Sequence, residues 1–541
     1  MNLAHVGSLN PLVELETRDF WIAGGLALAV VVFAGAFLFV PTATGSFHDD
    51  AIYLSTARSL AAGDGYRLID LPESPPQTKY PILYPAVLAV VWMFFPDFPR
   101  NLWLMQGLTL LSAAAALAVS YLYLLRFGYS TRYAAFASVA LAATTPFLLF
   151  VSTRLLSEMP FALLFLLALW RLELVSRRAP GRGLSQIATG VIVALPFLCR
   201  SVGFVMIAMT PLLLWRARRP IVLTLVGAAI TACPWIYWSL TALGQWQRDS
   251  VVGYYTDYIG SWSILLNDPV ALLGWNLLHL GLQPVNLSLV GLNLAGVWLL
   301  DWKLSPLFLV AGALSWITIV RAATRLQILP VLLVSYALLL LLWPWPPGRF
   351  LLPVLPLVLA FAGQTALRIS RTVLPTLYAR ICHLLLWAAL AGNLCALGLL
   401  GAEVRASQFP FFIFPDRGVK WRSYEEVFSW IRANTAPADR IASGLDSMVF
   451  AYTDRQSFRP FPFRPDRLFY GAPGPKSGTA EEVLDNLVRN QTHYLAMFPM
   501  PGFQEEFSVG VVIADLRRTF PQRFVPVFVG SDPRFAIFEV R

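Results

Sequence analysis

Long apolar runs separated by short polar turns fill roughly the first 400 residues, and most are of the length that crosses a bilayer as a helix, about 20 residues. They predict spans at residues 20–40, 102–125, 132–151, 159–175, 186–199, 203–215, 221–243, 304–320, 326–343, 350–367 and 381–401. The pair at 186–199 and 203–215, around Pro196 and Arg200, is short enough to be two half-depth helices meeting near the outer surface. The first run exceeds a signal-peptide core and ends without a small-residue cleavage pattern, so it is expected to be retained. The run 82–95, bracketed by Pro81, Pro85 and Pro96, covers only about 14 residues and is expected to be interfacial or re-entrant. Residues 244–303 form an outer segment rich in Trp, Tyr, Asn and Gly. Its apolar pieces, 270–278 and 287–300, are expected along the interface or as an extra hairpin.

After Gly401 the pattern changes. Helical spacing returns at 423–434 and 479–489, and strand-like stretches follow at 440–443, 493–498, 524–529 and 535–540. The expected architecture is a polytopic α-helical membrane protein of about eleven spans with a C-terminal α/β domain. The division falls at 1–403, including a first outer loop at 41–101, and 404–541.

Composition agrees: 57% of the 541 residues are hydrophobic, 13% are charged, and the mean hydropathy is +0.62. The formal charge of +10 does not indicate nucleic-acid binding, because the basic residues fall in short turns between apolar runs and form no soluble basic face. If 82–95 does not cross, the basic turns share one side: Arg126 and Arg132; Arg171, Arg177, Arg178 and Arg182; Arg216, Arg218 and Arg219; Arg321 and Arg325; Arg368, Arg371 and Arg380. The positive-inside rule then puts the N-terminus in the cytoplasm, and the first loop and C-terminal domain outside the cytoplasmic membrane. Cys199, Cys233, Cys382 and Cys395 lie in or beside apolar segments, with neither disulfide nor zinc spacing.

The first outer loop carries adjacent carboxylates, Asp49 and Asp50, where a helix at 51–62, closed by Gly63, is expected to begin. One Asp suffices to cap a helix, so the pair is a candidate reactive site. Lys79, in TKYPILYP, is a cation on a Pro-restricted backbone, or an anchor at the membrane surface. Glu158, just before Pro160, suits either a helix start or a reactive acid, and Arg154 lies in the same turn. Arg200 lies within an apolar hairpin, where a charge requires a cavity or partner, and Arg349 opens a span on the outer side, where a phosphate is the simplest reason for a cation. His48 and His279 could serve as metal ligands beside the carboxylates, but no ligand spacing supports that.

The stretches HDDAIYLSTARSLAAGDGY, KYPILYPAVLA, STRLLSEMPFALLFLLALW and GRFLLPVLPLVLAFAG occur in an order that resembles the GT-C membrane glycosyltransferases, in particular the protein O-mannosyltransferase and aminoarabinose transferase superfamily. The resemblance covers the membrane half well and the C-terminal part only loosely. It implies a sugar donor on a polyprenyl phosphate, membrane lipid as surroundings, and an acceptor glycan, lipid or protein. It puts the family's Asp-Glu pair on Asp49 and Asp50, with Asp where Glu is commoner, which leaves open which carboxylate is the base. Tyr53 follows the pair as in the family, the loop Lys falls on Lys79, and Glu158 and Arg349 match later acidic and basic positions. Such chemistry needs a base for the acceptor hydroxyl and cations for the leaving phosphate, here Lys79, Arg200 and Arg349, with Arg154 in support. No cofactor is required, and a divalent cation is left open. The competing readings are a transporter or flippase of a lipid-linked sugar precursor, although no internal repeat is visible, and a non-catalytic surface receptor.

Overall fold

The computed structural model describes residues 11–177, 183–242, 244, 251–256, 262–289, 305–373, 377–409, 419–461, 464–475, 478–499 and 509–541. Arg178, Arg182 and most of the 287–300 piece lie outside the described residues.

The apolar runs form helices α1 (Thr17–Phe37), α4 (Leu102–Arg126), α5 (Arg132–Ala143), α6 (Pro146–Ser152), α7 (Glu158–Arg177), α8 (Gly183–Cys199), α9 (Phe204–Arg216), α10 (Val222–Thr241), α12 (Ser305–Ala323), α13 (Ile328–Leu341), α14 (Gly348–Leu351), α15 (Leu355–Val373) and α16 (Tyr378–Ser407). Between them lie α2 (Asp49–Ala62), α3 (Leu83–Phe94) and α11 (Pro269–Ser288). Among the described residues seven helices are long and apolar enough to cross a membrane, or eight if the bent α5 and α6 count as one, against the eleven spans expected. The shortfall lies in short apolar helices such as α8, α13 and the α9 segment. The chain is a multi-pass membrane protein with a mostly helical fold.

Two differences from the expected spans have local causes. The run 132–151 is not one straight helix but bends by 66° between α5 and α6. Pro146 begins α6, and the Thr144 and Thr145 hydroxyls donate to the Ala140 and Leu141 carbonyls, ending the ladder there. The piece 270–278 belongs to a full 20-residue helix, α11, started by Asp268, whose carboxylate accepts from the Ala271 N–H at 2.9 Å. α8 packs on α10 at backbone distance, because a Cβ at Gly190 would lie 1.9 Å from the Thr224 carbonyl oxygen and one at Gly227 would lie 2.2 Å from that of Ile187.

The C-terminal part comprises α17 (Trp421–Asn434), β1 (Ile441–Ser443), α18 (Asp446–Thr453), β2 (Ser457–Phe458), α19 (Ala480–Arg489), β3 (Tyr494–Met497), α20 (Val509–Thr519), β4 (Phe524–Val529) and β5 (Ala536–Val540). The five strands form one sheet in the order β2-β1-β3-β5-β4, parallel from β2 to β3 and antiparallel through β5 and β4. α19 starts where its sequence says it should: Thr479 accepts from the Glu482 N–H and Glu482 reaches back to the Thr479 N–H.

This part is seated on the first loop. Asp70 is fully buried and accepts from Ser55 at 2.9 Å and from Ser447 of α18 at 2.6 Å, while its carbonyl accepts from the Ser457 N–H at 2.8 Å. Burial pushes the Asp70 carboxyl up to about 6, against the pull of the Ser447 hydrogen bond. A raised acid pKa means the folded chain holds a proton that the unfolded chain has released. The contribution of Asp70 to stability is therefore full below about pH 4 and is lost as pH rises through about 6. Asp70→Asn should remove that slope. Its stability relative to wild type is expected to improve by on the order of 3 kcal/mol between pH 4 and pH 7, followed by thermal unfolding in detergent at both pH values. Parallel profiles for the two proteins would contradict it.

Candidate active site

The site is assembled around the start of α2. The chain leaves α1, turns at Gly45 and enters α2 with His48 as the residue before the first turn and both carboxylates within it. Neither Asp is the cap, contrary to the sequence expectation for one of them. Gly45 has φ +97°, and a Cβ there would lie 2.6 Å from the Met448 Cβ, so α18 and the loop approach as closely as they do only at a glycine.

The two carboxylates have different surroundings. Asp50 is 0% exposed and accepts from the Gly45 N–H at 2.7 Å and the Thr44 hydroxyl at 3.2 Å. Burial holds its carboxyl above the usual value although the Gly45 hydrogen bond and the Arg154 charge oppose this. Arg154 is equally buried and donates to the Ala43 and Leu38 carbonyls at 3.1 and 2.9 Å. Asp50 and Arg154 tie down the loop between α1 and α2, and neither lines the neighbouring cavity, where the sequence had suggested a chemical part for both.

Asp49 does line that cavity. Its side chain is 18% exposed, one carboxylate oxygen accepts from the Tyr80 hydroxyl at 2.7 Å, and the other meets Arg349 Nη1 at 2.6 Å. Burial alone would raise its carboxyl, but the Arg349 charge, the Tyr80 hydrogen bond and His48 together hold it below the ordinary value. Asp49 therefore stands as a carboxylate at neutral pH.

A chain of charges continues from there. Arg349 bonds Glu158 through Nε, and Glu158, 0% exposed at the start of α7, also takes Arg200 Nη1 at 2.9 Å. Arg200, in the short turn between α8 and α9, donates to the Ser157 hydroxyl at 2.9 Å, and that hydroxyl shares a hydrogen bond of 2.7 Å with Tyr53. Arg349 lies over the Phe47 ring and Arg200 over the Phe350 ring, at 4.5 and 5.1 Å from the centroids. The remaining Arg349 amine, Nη2, is buried without a hydrogen-bond partner among the described residues. Lys79 lines the same cavity, with its ammonium 6.0 Å from the centre of the Tyr80 ring. Its N–H and that of Tyr80 both donate to the Gln77 side-chain oxygen, at 2.7 and 3.1 Å, and its ammonium lies 5.0 Å from the centre of the Trp345 ring.

The structure thus brings Asp49, Tyr53, Lys79, Arg200 and Arg349 to one cavity of about 410 Å³, with Glu158 behind them bridging two of the cations. Four cations line it, Arg459 being the fourth, and among the described residues Asp49 is the single carboxylate on its wall. Sequence reading missed Arg459, Tyr80, Gln283 and the Trp343 and Trp345 pair. Tyr80 sits in the quoted TKYPILYP stretch, and the two Trp stand in the Pro-rich WPWPP run just before Gly348, so all three were within reach. Arg459 follows a two-residue strand in the C-terminal part and carried no signal. His48 and His279 also line the cavity, and the His279 ring pairs with Gln283 at 3.1 Å. Among the described residues no three His, Cys, Asp or Glu side chains gather as a metal-binding group.

An apolar helical bundle with an acidic first loop and a C-terminal α/β sheet closing over it is a GT-C-like fold. Among solved structures the chain is similar to ArnT from Cupriavidus metallidurans in the apo state, with 14% identity over 97% of this chain and 98% of that one and a TM-score of 0.53. The same protein bound to undecaprenyl phosphate matches with the same identity and coverage and a TM-score of 0.51. The oligosaccharyltransferase of Archaeoglobus fulgidus in complex with Zn and sulfate matches at 13% identity over 88% of this chain and 67% of that one, TM-score 0.51. At such identities the likeness is one of fold. No family model and no curated protein matches the sequence.

Proposed function

We propose that the protein is an inverting glycosyltransferase that moves a sugar from a polyprenyl-phosphate donor to an acceptor hydroxyl at the outer face of the cytoplasmic membrane, with residues 404–541 as its extracytoplasmic α/β domain. The observation that carries this reading is Asp49, among the described residues the single carboxylate on the cavity wall, sharing that cavity with Lys79, Arg200 and Arg349. The fold supports it, since one structure of that fold holds undecaprenyl phosphate.

In the proposed reaction Asp49 takes the proton of the acceptor hydroxyl as its oxygen bonds the anomeric carbon. The bond from that carbon to the phosphate oxygen breaks, its electron pair leaves with the phosphate, and the products are the glycosylated acceptor and polyprenyl phosphate. Lys79, Arg200 and Arg349 stabilise the charge developing on the phosphate. Arg349 lines the cavity, and its Nη2 amine has no hydrogen-bond partner among the described residues. Tyr53 and Glu158 hold Arg200 and Arg349 in place through Ser157 and directly. Asp50 and Arg154 keep the loop that carries the base. The three cations supply the charge for the phosphate by themselves.

The test is to incubate purified protein with radiolabelled polyprenyl-phosphate sugars and cell-envelope fractions. Label passing to a glycan, lipid or protein fraction with release of polyprenyl phosphate is expected. A lipid-linked sugar that is moved across vesicles with its sugar–phosphate bond intact would instead establish the flippase alternative.

A further inference from the structure

On the transferase reading above, we propose that Asp446, in the C-terminal α/β part, is a positioning residue: through His48 it locks a strained turn that presents the Asp49 carboxylate to the cavity. His48 has φ +67° and ψ −58°, and the Asp49 N–H donates back to the Phe47 carbonyl at 2.9 Å. This is a three-residue γ-turn with positive central φ, a rare and strained geometry for a residue with a side chain. It leads straight into α2, because the His48 carbonyl accepts from the Ala51 and Ile52 N–H groups at 3.1 and 3.2 Å. A residue stays in such a conformation only where its surroundings over-determine it.

The surroundings come from α18. The His48 ring is 3% exposed and its Nε2 lies 3.0 Å from Asp446 Oδ1; Asp446 itself is 0% exposed, and its other oxygen accepts from the Tyr255 hydroxyl. The His48 and Tyr255 rings pack at 5.5 Å. Asp446 opens α18, the next residue, Ser447, bonds Asp70, and the one after, Met448, lies against Gly45. Three consecutive residues of one short helix therefore grip the loop on both sides of Asp49. Asp446 is not on the cavity wall, while His48 and Asp49 are, so it acts through the turn and not on a substrate.

Two measurements on the full-length protein in detergent test this. In the Asp446→Ala variant the Ala51 and Ile52 amides should exchange hydrogen at least about 10-fold faster, with the β3 and β5 amides unchanged. The transfer rate kcat should fall about 10- to 100-fold, with the donor KM within about threefold, as for a misplaced but intact base. Glycine adopts positive φ without strain, so the double variant His48→Gly with Asp446→Ala should recover most of the lost kcat. Unchanged exchange at Ala51 and Ile52, or a double variant as slow as Asp446→Ala alone, overturns the proposal. Should Asp446→Ala expose the sheet amides, Asp446→Asn is read by the same criteria. If wild type transfers no sugar the enzymatic reading fails, and the exchange measurement still decides the role of Asp446.

Discussion

Asp49→Asn should lower sugar transfer by about 10²- to 10⁴-fold, the usual contribution of a general base, while binding of the polyprenyl-phosphate donor stays within about threefold of wild type. The amide keeps an oxygen for the Tyr80 hydroxyl or for Arg349, so the loss is chemical before it is structural. Asp50→Asn is the matched control. Its carboxylate faces Gly45 and Thr44, so that change should lower thermal stability and leave most of the rate. The pH profile adds a sign. Since the charge of Arg349 and the Tyr80 hydrogen bond hold the Asp49 carboxyl down against its burial, the acid limb of wild-type kcat/KM, which reports the donor-free enzyme, should lie below the ordinary carboxylate range of about 4. Equal losses for Asp49→Asn and Asp50→Asn would remove the base from Asp49.

The second large effect is expected at Arg349. Arg349→Met leaves Glu158, 0% exposed, with Arg200 as its remaining cation and frees Asp49 from its ion pair. Removing one partner from buried charges costs about 3–5 kcal/mol, so the melting temperature in detergent should drop clearly. The donor KM should rise and kcat should fall, because the same guanidinium is proposed to receive the phosphate. The acid limb of the surviving activity should move upward as the Asp49 carboxyl loses its main charge partner. Arg349→Lys is expected to restore little: the guanidinium reaches Asp49 through Nη1 and Glu158 through Nε, and a single ammonium does not reproduce that fork. A wild-type donor KM in Arg349→Met would end its role as a phosphate ligand.

Much of the fold was legible because membrane spans and amphipathic helices are written in periodicity. α1, α4, α7, α10 and α16 begin and end within a few residues of the apolar runs, apart from α16, which continues to Ser407. α17 and α19 match their helical spacing closely. What periodicity does not carry is a local break, such as the 66° bend before Pro146, or a strand of two residues such as β2. The same limit applies to the site. Charges stranded among apolar residues, Arg200 and Arg349, were conspicuous, and Asp49 stood beside the end of a span. Adjacent Asp49 and Asp50 were indistinguishable as letters; the difference between them is that one helix turn directs Asp50 to the loop backbone and Asp49 to Arg349. Asp446 gave no sequence signal because its partner His48 lies 398 residues away along the chain, and Arg459 gave none because it joins the cavity wall only in the folded chain.

The ion pair between Asp49 and Arg349 carries one more consequence for the proposed reaction. With no donor present the base is tethered to a cation and is weak, so water in the cavity is poorly activated. When a phosphate draws on the positive charge of Arg349, the hold on Asp49 loosens and its proton affinity climbs. The arrangement makes the donor switch on the group that will prime the acceptor, which imposes an order of events, lipid before hydroxyl.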